Sequence, residues 1–264
     1  MPPSADPPER PRPRGGLSSA PMRESLVFVT GGSSGIGEAM IRTLPFSPAR
    51  VFDVSRRGAV GCEQLRADLS DPAAWPRVAE LFRREMGGFA GERVVFVHSA
   101  GTLTPIGFAG EEDPAAYTRA VLLNAAAPQV LGDAFLRAAR ATRAPCHLVM
   151  IGSGAARNVY SGWTSYGAGK AAVDQWVRTA GAEQELRGGH CRVVSVSPGL
   201  VATAMQEEIR ATSASRLPSV DRFVEVHDKG ELRDPTQVAR EIWALLERGL
   251  PNGAVFDLRN REFY

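Results

Sequence analysis

The chain has 264 residues, enough for one large α/β domain with a buried core and barely enough for two small ones, so a single domain is expected. Its 31 basic and 29 acidic side chains leave a formal net charge of +2 with no strongly basic block. That balance argues against nucleic acid or a membrane surface as partner and for a small neutral or mildly acidic substrate.

Residues 1–24 are crowded with proline and arginine and lack the apolar stretch of a secretory signal. They are expected to form a disordered tail, and Met22, just ahead of the first strand, is a reasonable alternative start. No later segment approaches the ~20 uninterrupted apolar residues of a spanning helix.

Over residues 25–264, short apolar runs rich in Val, Ile and Phe alternate with longer amphipathic stretches, the rhythm of a doubly wound α/β fold whose parallel sheet carries helices on both faces. Seven strands, apolar on both faces, are predicted at 26–30, 50–54, 63–67, 93–98, 147–151, 192–197 and 254–258. Helices are predicted at 35–44, 73–86, 115–141, 165–187 and 235–248, with cap signals at Asp71-Pro72 and Asp234-Pro235. The polar, small-residue segment 205–233 breaks the rhythm, and its apolar Met205, Ile209, Leu217, Phe223 and Val226 favour a substrate lid over a disordered loop.

Directly after the first strand comes Thr30-Gly31-Gly32-Ser33-Ser34-Gly35-Ile36-Gly37. A strand feeding a glycine turn and then a helix aims unpaired backbone N–H groups and the positive helix end at one spot, a seat for an anionic pyrophosphate. Glycine is required where a side chain would hold the phosphate away or block helix-to-strand packing. Asp53 lies at the usual distance for a ribose acceptor but inside the second strand, whereas Ser55, Arg56 and Arg57 occupy its carboxyl edge. NADP(H) is therefore expected, with Arg56 on its extra phosphate and Arg57 as a weaker candidate.

Ser153 and Tyr166-x-x-x-Lys170 form the candidate chemical centre. Tyr166 and Lys170, four apart, share a helix face, and Ser153 ends an apolar strand at the edge where ligands bind in open α/β sheets. Reducing a ketone needs an acid for the carbonyl oxygen, and a phenol with a free pKa near ~10 is a poor one at neutral pH. A cation about 4 Å away is expected to lower that pKa, partly against the cost of desolvation, while Ser153 steadies the developing oxyanion. Asn124 sits unexpectedly within an apolar helical stretch, and Pro128, lacking an N–H, is expected to free the Asn124 carbonyl to hold a water that resupplies Lys170 with protons.

With these residues in place the chain resembles the short-chain dehydrogenase/reductase family from Ser25 to Asp257. The glycine turn matches the family's TGxxxGxG, and Asn124, Ser153, Tyr166 and Lys170 match its tetrad. Asp68-Leu69 matches its adenine-side pair, and Pro198-Gly199 with Val201 and Thr203 its nicotinamide-side segment. In place of the family's usual Asn-Asn-Ala-Gly stands His98-Ser99-Ala100-Gly101, where Ser99 replaces only some of the asparagine's hydrogen bonds. The stretches 154–163 and 197–210 look most like the branch holding sepiapterin reductases and bacterial benzil reductases.

The resemblance implies strand order 3-2-1-4-5-6-7, a homodimer or homotetramer, Tyr166 and Lys170 among the cofactor contacts, and NADPH-dependent reduction of diketones or keto side chains. It also suggests that Asp257 anchors a substrate nitrogen. Leu103, Pro105, Tyr160, Trp163, Met205 and Phe223 are expected to wall an apolar pocket for a flat carbonyl substrate. The odd, widely spaced Cys62, Cys146 and Cys191 fit a reducing cytoplasm, and with the four histidines scattered no metal site is expected. An NAD-linked alcohol dehydrogenase and a dinucleotide sensor without turnover are the competing readings.

Overall fold

Strand β1 (Ser25–Thr30) is buried along its whole length, and its side chains alternate between two cores. Leu26 and Phe28 point into one apolar layer and Val27 and Val29 into the other, as a strand covered on both faces requires. The computed structural model describes residues 24–264, so the tail expected over 1–24 lies, but for its last residue, outside the described residues.

Around β1 the strands β2 (Ala49–Ser55), β3 (Glu63–Arg66), β4 (Arg93–His98), β5 (Cys146–Ile151), β6 (Cys191–Ser197) and β7 (Val255–Asp257) pair in parallel in the order 3-2-1-4-5-6-7. The sheet also has an eighth strand, β8 (Glu262–Phe263), antiparallel to β7, which two residues are too short to signal by pattern. A second difference concerns β3, which is largely exposed rather than apolar on both faces, because it is an edge strand of Glu, Gln, Leu and Arg.

Helices α1 (Gly35–Arg42) and α8 (Pro235–Arg248) pack together on one face, and α2 (Trp75–Met86), α4 (Ala127–Ala139) and α5 (Thr164–Leu186) cover the other. The helix expected over 115–141 is interrupted. α3 (Pro114–Val121) runs into a π-turn at Leu122–Ala126, where the Ala127 N–H bonds the Leu122 carbonyl, and α4 follows with Pro128 in its first turn. A proline without an N–H at this point makes the wider turn tolerable. The segment 205–233 carries two helices, α6 (Ala204–Arg210) and α7 (Val220–Asp228). Their Ile209 and Phe223 join Leu103, Trp163 and Tyr166 in a third apolar cluster beyond the carboxyl ends of the strands. Among the described residues no helix is long and apolar enough to cross a membrane.

Phe82 meets Phe28, Phe96 and Phe135 at centroid distances of 4.9, 4.9 and 5.5 Å and is fully buried. Phe82→Ala is expected to lower stability by about 3–5 kcal/mol, the usual result of emptying an aromatic core site, as measured by urea unfolding.

Candidate active site

The carboxyl ends of β1, β2, β4, β5 and β6 and the helices α6 and α7 enclose a cleft of about 420 Å³. Its cofactor end is set by the turn after β1. Gly31 and Gly35 have φ of +70° and +58°, which side chains rarely adopt, and a Cβ at Gly37 would stand 2.3 Å from the Gly31 carbonyl. Ser34 begins α1 without a side-chain cap, leaving the first N–H groups of that helix available to an anion. Ser33, Ser34, Gly35 and Ile36 line the cleft, while Gly37 is packed behind them.

Asp53 is tied down within this turn. Its carboxylate accepts from the Gly32 N–H at 2.9 Å and the Ser55 hydroxyl at 2.6 Å, so it holds the turn and is unavailable to a ribose. Arg56 and Arg57 line the cleft beside Asp68 and Leu69, as the position at the end of β2 predicts. Burial pushes the Asp68 carboxyl up, but hydrogen bonds from Ser70 and the charges of Arg56 and Arg119 outweigh it and hold the group below its ordinary range.

Ser99, Ala100 and Gly101 line the cleft from the end of β4, opposite the glycine turn. The Thr30 hydroxyl accepts from the Ser99 and Ala100 N–H groups at 3.1 and 3.2 Å and meets His98 Nδ1 at 3.1 Å. Burial, with Lys170 adding to it, lowers the His98 pKa to about 3, so the ring is a neutral strut between β1 and β4.

At the chemical end, Ser153, Tyr166 and Lys170 converge on the same cleft. Ser153 caps a short 3-10 turn at Gly154–Ala156, its Oγ accepting from Ala155 N–H at 3.1 Å. The Lys170 Nζ lies 5.9 Å from the Tyr166 ring centroid and donates to the Ile151 carbonyl at 2.7 Å. Burial brings the Lys170 pKa down to about 8, against the pull of Asp174 one turn further along α5. The Tyr166 phenol departs from expectation: burial raises its pKa, and only the Ser153 hydroxyl beside it opposes the rise. Desolvation of a phenolate dominates here, and the phenol holds its proton, the form a reduction consumes.

Asn124 is buried in the π-turn, outside the cleft lining. Its amide clamps Thr102 twice, accepting from the N–H at 3.0 Å and donating to the carbonyl at 2.8 Å, so it fixes the loop after Gly101. Its backbone lies against Gly169, where an added Cβ would meet the Asn124 carbonyl at 3.3 Å.

Pro198, Gly199, Val201 and Thr203 line the cofactor side, and Leu103, Tyr160, Trp163, Met205 and Phe223 line the remainder. Pro105 is not part of that lining. Asp257 is also outside it: its side chain is fully buried and bonded to Arg259 at 2.9, 3.3 and 3.0 Å and to Arg157 at 3.3 Å, which leaves no acceptor for a substrate nitrogen. The structure adds Asp174, which accepts from Ser195 Oγ at 2.7 Å and pairs with Arg157 at 3.6 Å. Its signal was present, since Tyr166, Lys170 and Asp174 are spaced i, i+4, i+8 on one helix face. Among the described residues no group of His, Cys, Asp and Glu could hold a metal.

The family model for short chain dehydrogenase matches residues 25–214, and the chain belongs to that family. It is thus an oxidoreductase acting on carbonyl or alcohol groups, in a family that uses the nicotinamide cofactors NAD or NADP. It is 31% identical to the benzil reductase ((S)-benzoin forming) of Bacillus subtilis (strain 168) over 89% of this chain and 98% of that protein. It is 28% identical to the sepiapterin reductase of Bos taurus over 84% of this chain and 90% of that protein. The fold matches the crystal structure of a short chain dehydrogenase/reductase from Saccharomyces cerevisiae with a TM-score of 0.76 at 22% identity, covering 88% of this chain and 95% of that one.

The buried amine gives a pH test. The folded chain releases the Lys170 proton near pH 8 and an unfolded lysine near 10.5, so between these values the unfolded chain binds more protons and stability rises with pH. Wild type is expected to gain stability relative to Lys170→Met across that window, read by urea unfolding at a series of pH values.

Proposed function

We propose that the protein is an NADPH-dependent carbonyl reductase that converts a ketone, an aromatic 1,2-diketone or a pterin-like keto side chain, to its alcohol. The observation that carries this reading is the meeting of Ser153, Tyr166 and Lys170 in one cleft whose other walls are Leu103, Tyr160, Trp163, Met205 and Phe223. An aromatic ketone fits such a wall by area burial and ring packing. The benzil and sepiapterin reductases among its relatives support the same substrate class.

The glycine turn and the open end of α1 would hold the pyrophosphate, Asp68 and Leu69 the adenine side, and Arg56 the phosphate that distinguishes NADP. Pro198 to Thr203, with Tyr166 and Lys170, would border the nicotinamide. A bound reduced nicotinamide supplies the hydride. The Tyr166 phenol gives its proton to the carbonyl oxygen, and Ser153 steadies that oxygen by hydrogen bonding. Lys170, held by the Ile151 carbonyl, sets a positive charge beside the phenolate left behind. Asn124 positions the Thr102 loop and presents its carbonyl region to Gly169, next to Lys170, the place for a proton-resupplying water. Segment 205–233 serves as the lid, since Ile209, Leu217 and Phe223 pack against Trp163 and Tyr166. A homodimer or homotetramer in the cytoplasm completes this reading, and the buried free thiols Cys146 and Cys191 are compatible with a reducing compartment.

The test is loss of NADPH absorbance with benzil and 1-phenyl-1,2-propanedione. Tyr166→Phe is expected to lose about 10²–10⁴ in kcat, the usual share of general acid catalysis, and unchanged turnover overturns the mechanism. Arg56→Ala is expected to raise the KM for NADPH about tenfold or more while sparing NADH, in line with loss of one charge-assisted phosphate contact. Equal affinity of wild type for both cofactors removes the NADP assignment.

A further inference from the structure

A second cavity of about 550 Å³ opens beside the catalytic cleft, walled by Arg157, Arg222, Arg259, Asn158, Asn260 and Tyr160 among others. Tyr160 and Arg259 line both spaces, so the second continues the first outward. Arg259 lies across the mouth of the cleft. An added Cβ on Gly154, next to Ser153, would sit 3.4 Å from its Nη2, and one on Gly199 would meet its Cγ at 2.6 Å.

Among the described residues no acidic side chain lines this cavity. The acids that fix two of its arginines stand behind them: Asp257, fully buried, holds Arg259 and Arg157, and Asp174 pairs with Arg157 from the far side. The Arg157 guanidinium is also stacked 3.6 Å from the Tyr264 ring centroid. Both cations are thereby held in place along one wall. Arg222, on the exposed face of α7, has no ion-pair partner among the described residues, while the Asn158 and Asn260 amides donate to the Gly154 carbonyl and the Tyr264 hydroxyl and keep one N–H each. A neutral group gains little in such a place. A carboxylate gains the uncompensated charge of Arg222, beside two guanidiniums whose orientation is set and whose charge Asp257 and Asp174 balance.

We propose that this cavity is a subsite for a carboxylate at the end of the carbonyl substrate remote from the reacting carbon. The preferred substrates are aromatic keto compounds with an anionic tail, the aromatic body against Trp163 and Phe223 and the tail among Arg157, Arg222 and Arg259. The inference rests on the carbonyl-reductase reading and specifies its substrate class. The expectation of a small, neutral or mildly acidic substrate from charge balance is narrowed to its acidic half.

The probes are benzil with one para-carboxylate and its methyl ester. Two measurements are made on wild type, Arg222→Gln and Arg222→Glu: equilibrium binding by tryptophan fluorescence in the absence of turnover, and kcat/KM with NADPH. Circular dichroism checks that each variant is folded, and exposed Arg222 gives little reason for it not to be. Wild type is expected to bind the carboxylate about tenfold more tightly than the ester, the worth of one good charge-assisted contact, with the ratio shrinking as salt rises. Arg222→Gln lowers the ratio and Arg222→Glu abolishes or inverts it. Equal binding of the two probes by wild type, or a preference untouched in Arg222→Glu, overturns the subsite. If neither probe is reduced but the binding preference follows Arg222, the subsite stands and the reductase reading falls. If both are reduced and bound alike, the reverse holds.

Discussion

The structure is organised by one electrostatic constraint: a lysine ammonium has to be kept out of water beside a phenol. An unpaired charge in such a place costs several kcal/mol, so its surroundings must supply compensation. Lys170 receives it from the Ile151 carbonyl at the end of β5 and from Asp174 one turn along α5. Asp174, itself buried, is held by Ser195 on β6 and by Arg157. Arg157 pairs in turn with Asp257 at the end of β7, and Asp257 with Arg259. Charges of alternating sign thus run from the chemical centre, behind Ser153, to the mouth of the cleft. The positions of residues far from Tyr166 in sequence follow from that need for pairing.

The cofactor end obeys a steric constraint instead. Close approach of α1 to β1 leaves no room for a side chain at Gly37, Asp53 secures the turn through the Gly32 N–H, and Thr30 secures the loop after β4 beside it through the Ser99 and Ala100 N–H groups. Here the backbone is the binding surface, and the polar side chains inside the sheet serve to hold it still. His98 adds a neutral ring between β1 and β4 where the family pattern has an asparagine.

Much of this was legible in the residues. Strands covered on both faces announce themselves as apolar runs, so β1, β2, β4, β5, β6 and β7 appeared at nearly their true bounds, β3 did so although it is exposed, and the glycine turn and the Tyr-x-x-x-Lys spacing mark the two ends of the cleft. What escaped depends on long-range pairing. Two residues of β8 carry no period, and the edge position of β3 is a property of the whole sheet. Asp257 reads as an isolated acid at a strand end, and only the folded chain brings Arg157, a hundred residues earlier, against it. The phenol's raised pKa escaped for the same reason: the charge four residues away is visible in sequence, whereas the burial that opposes it is a sum over α6, α7 and the loop after β4.

The hairpin between β7 and β8 joins two roles. Phe263 meets Phe256 edge to face at 5.0 Å, and the Tyr264 N–H bonds the Val255 carbonyl at 2.8 Å, fastening the sheet's last edge. Between those fastenings the turn displays Arg259 and Asn260. The margin of the sheet and the rim of the active site are therefore one mechanical piece, and loosening this short pairing would unseat a guanidinium from the entrance while leaving Ser153, Tyr166 and Lys170 where they stand.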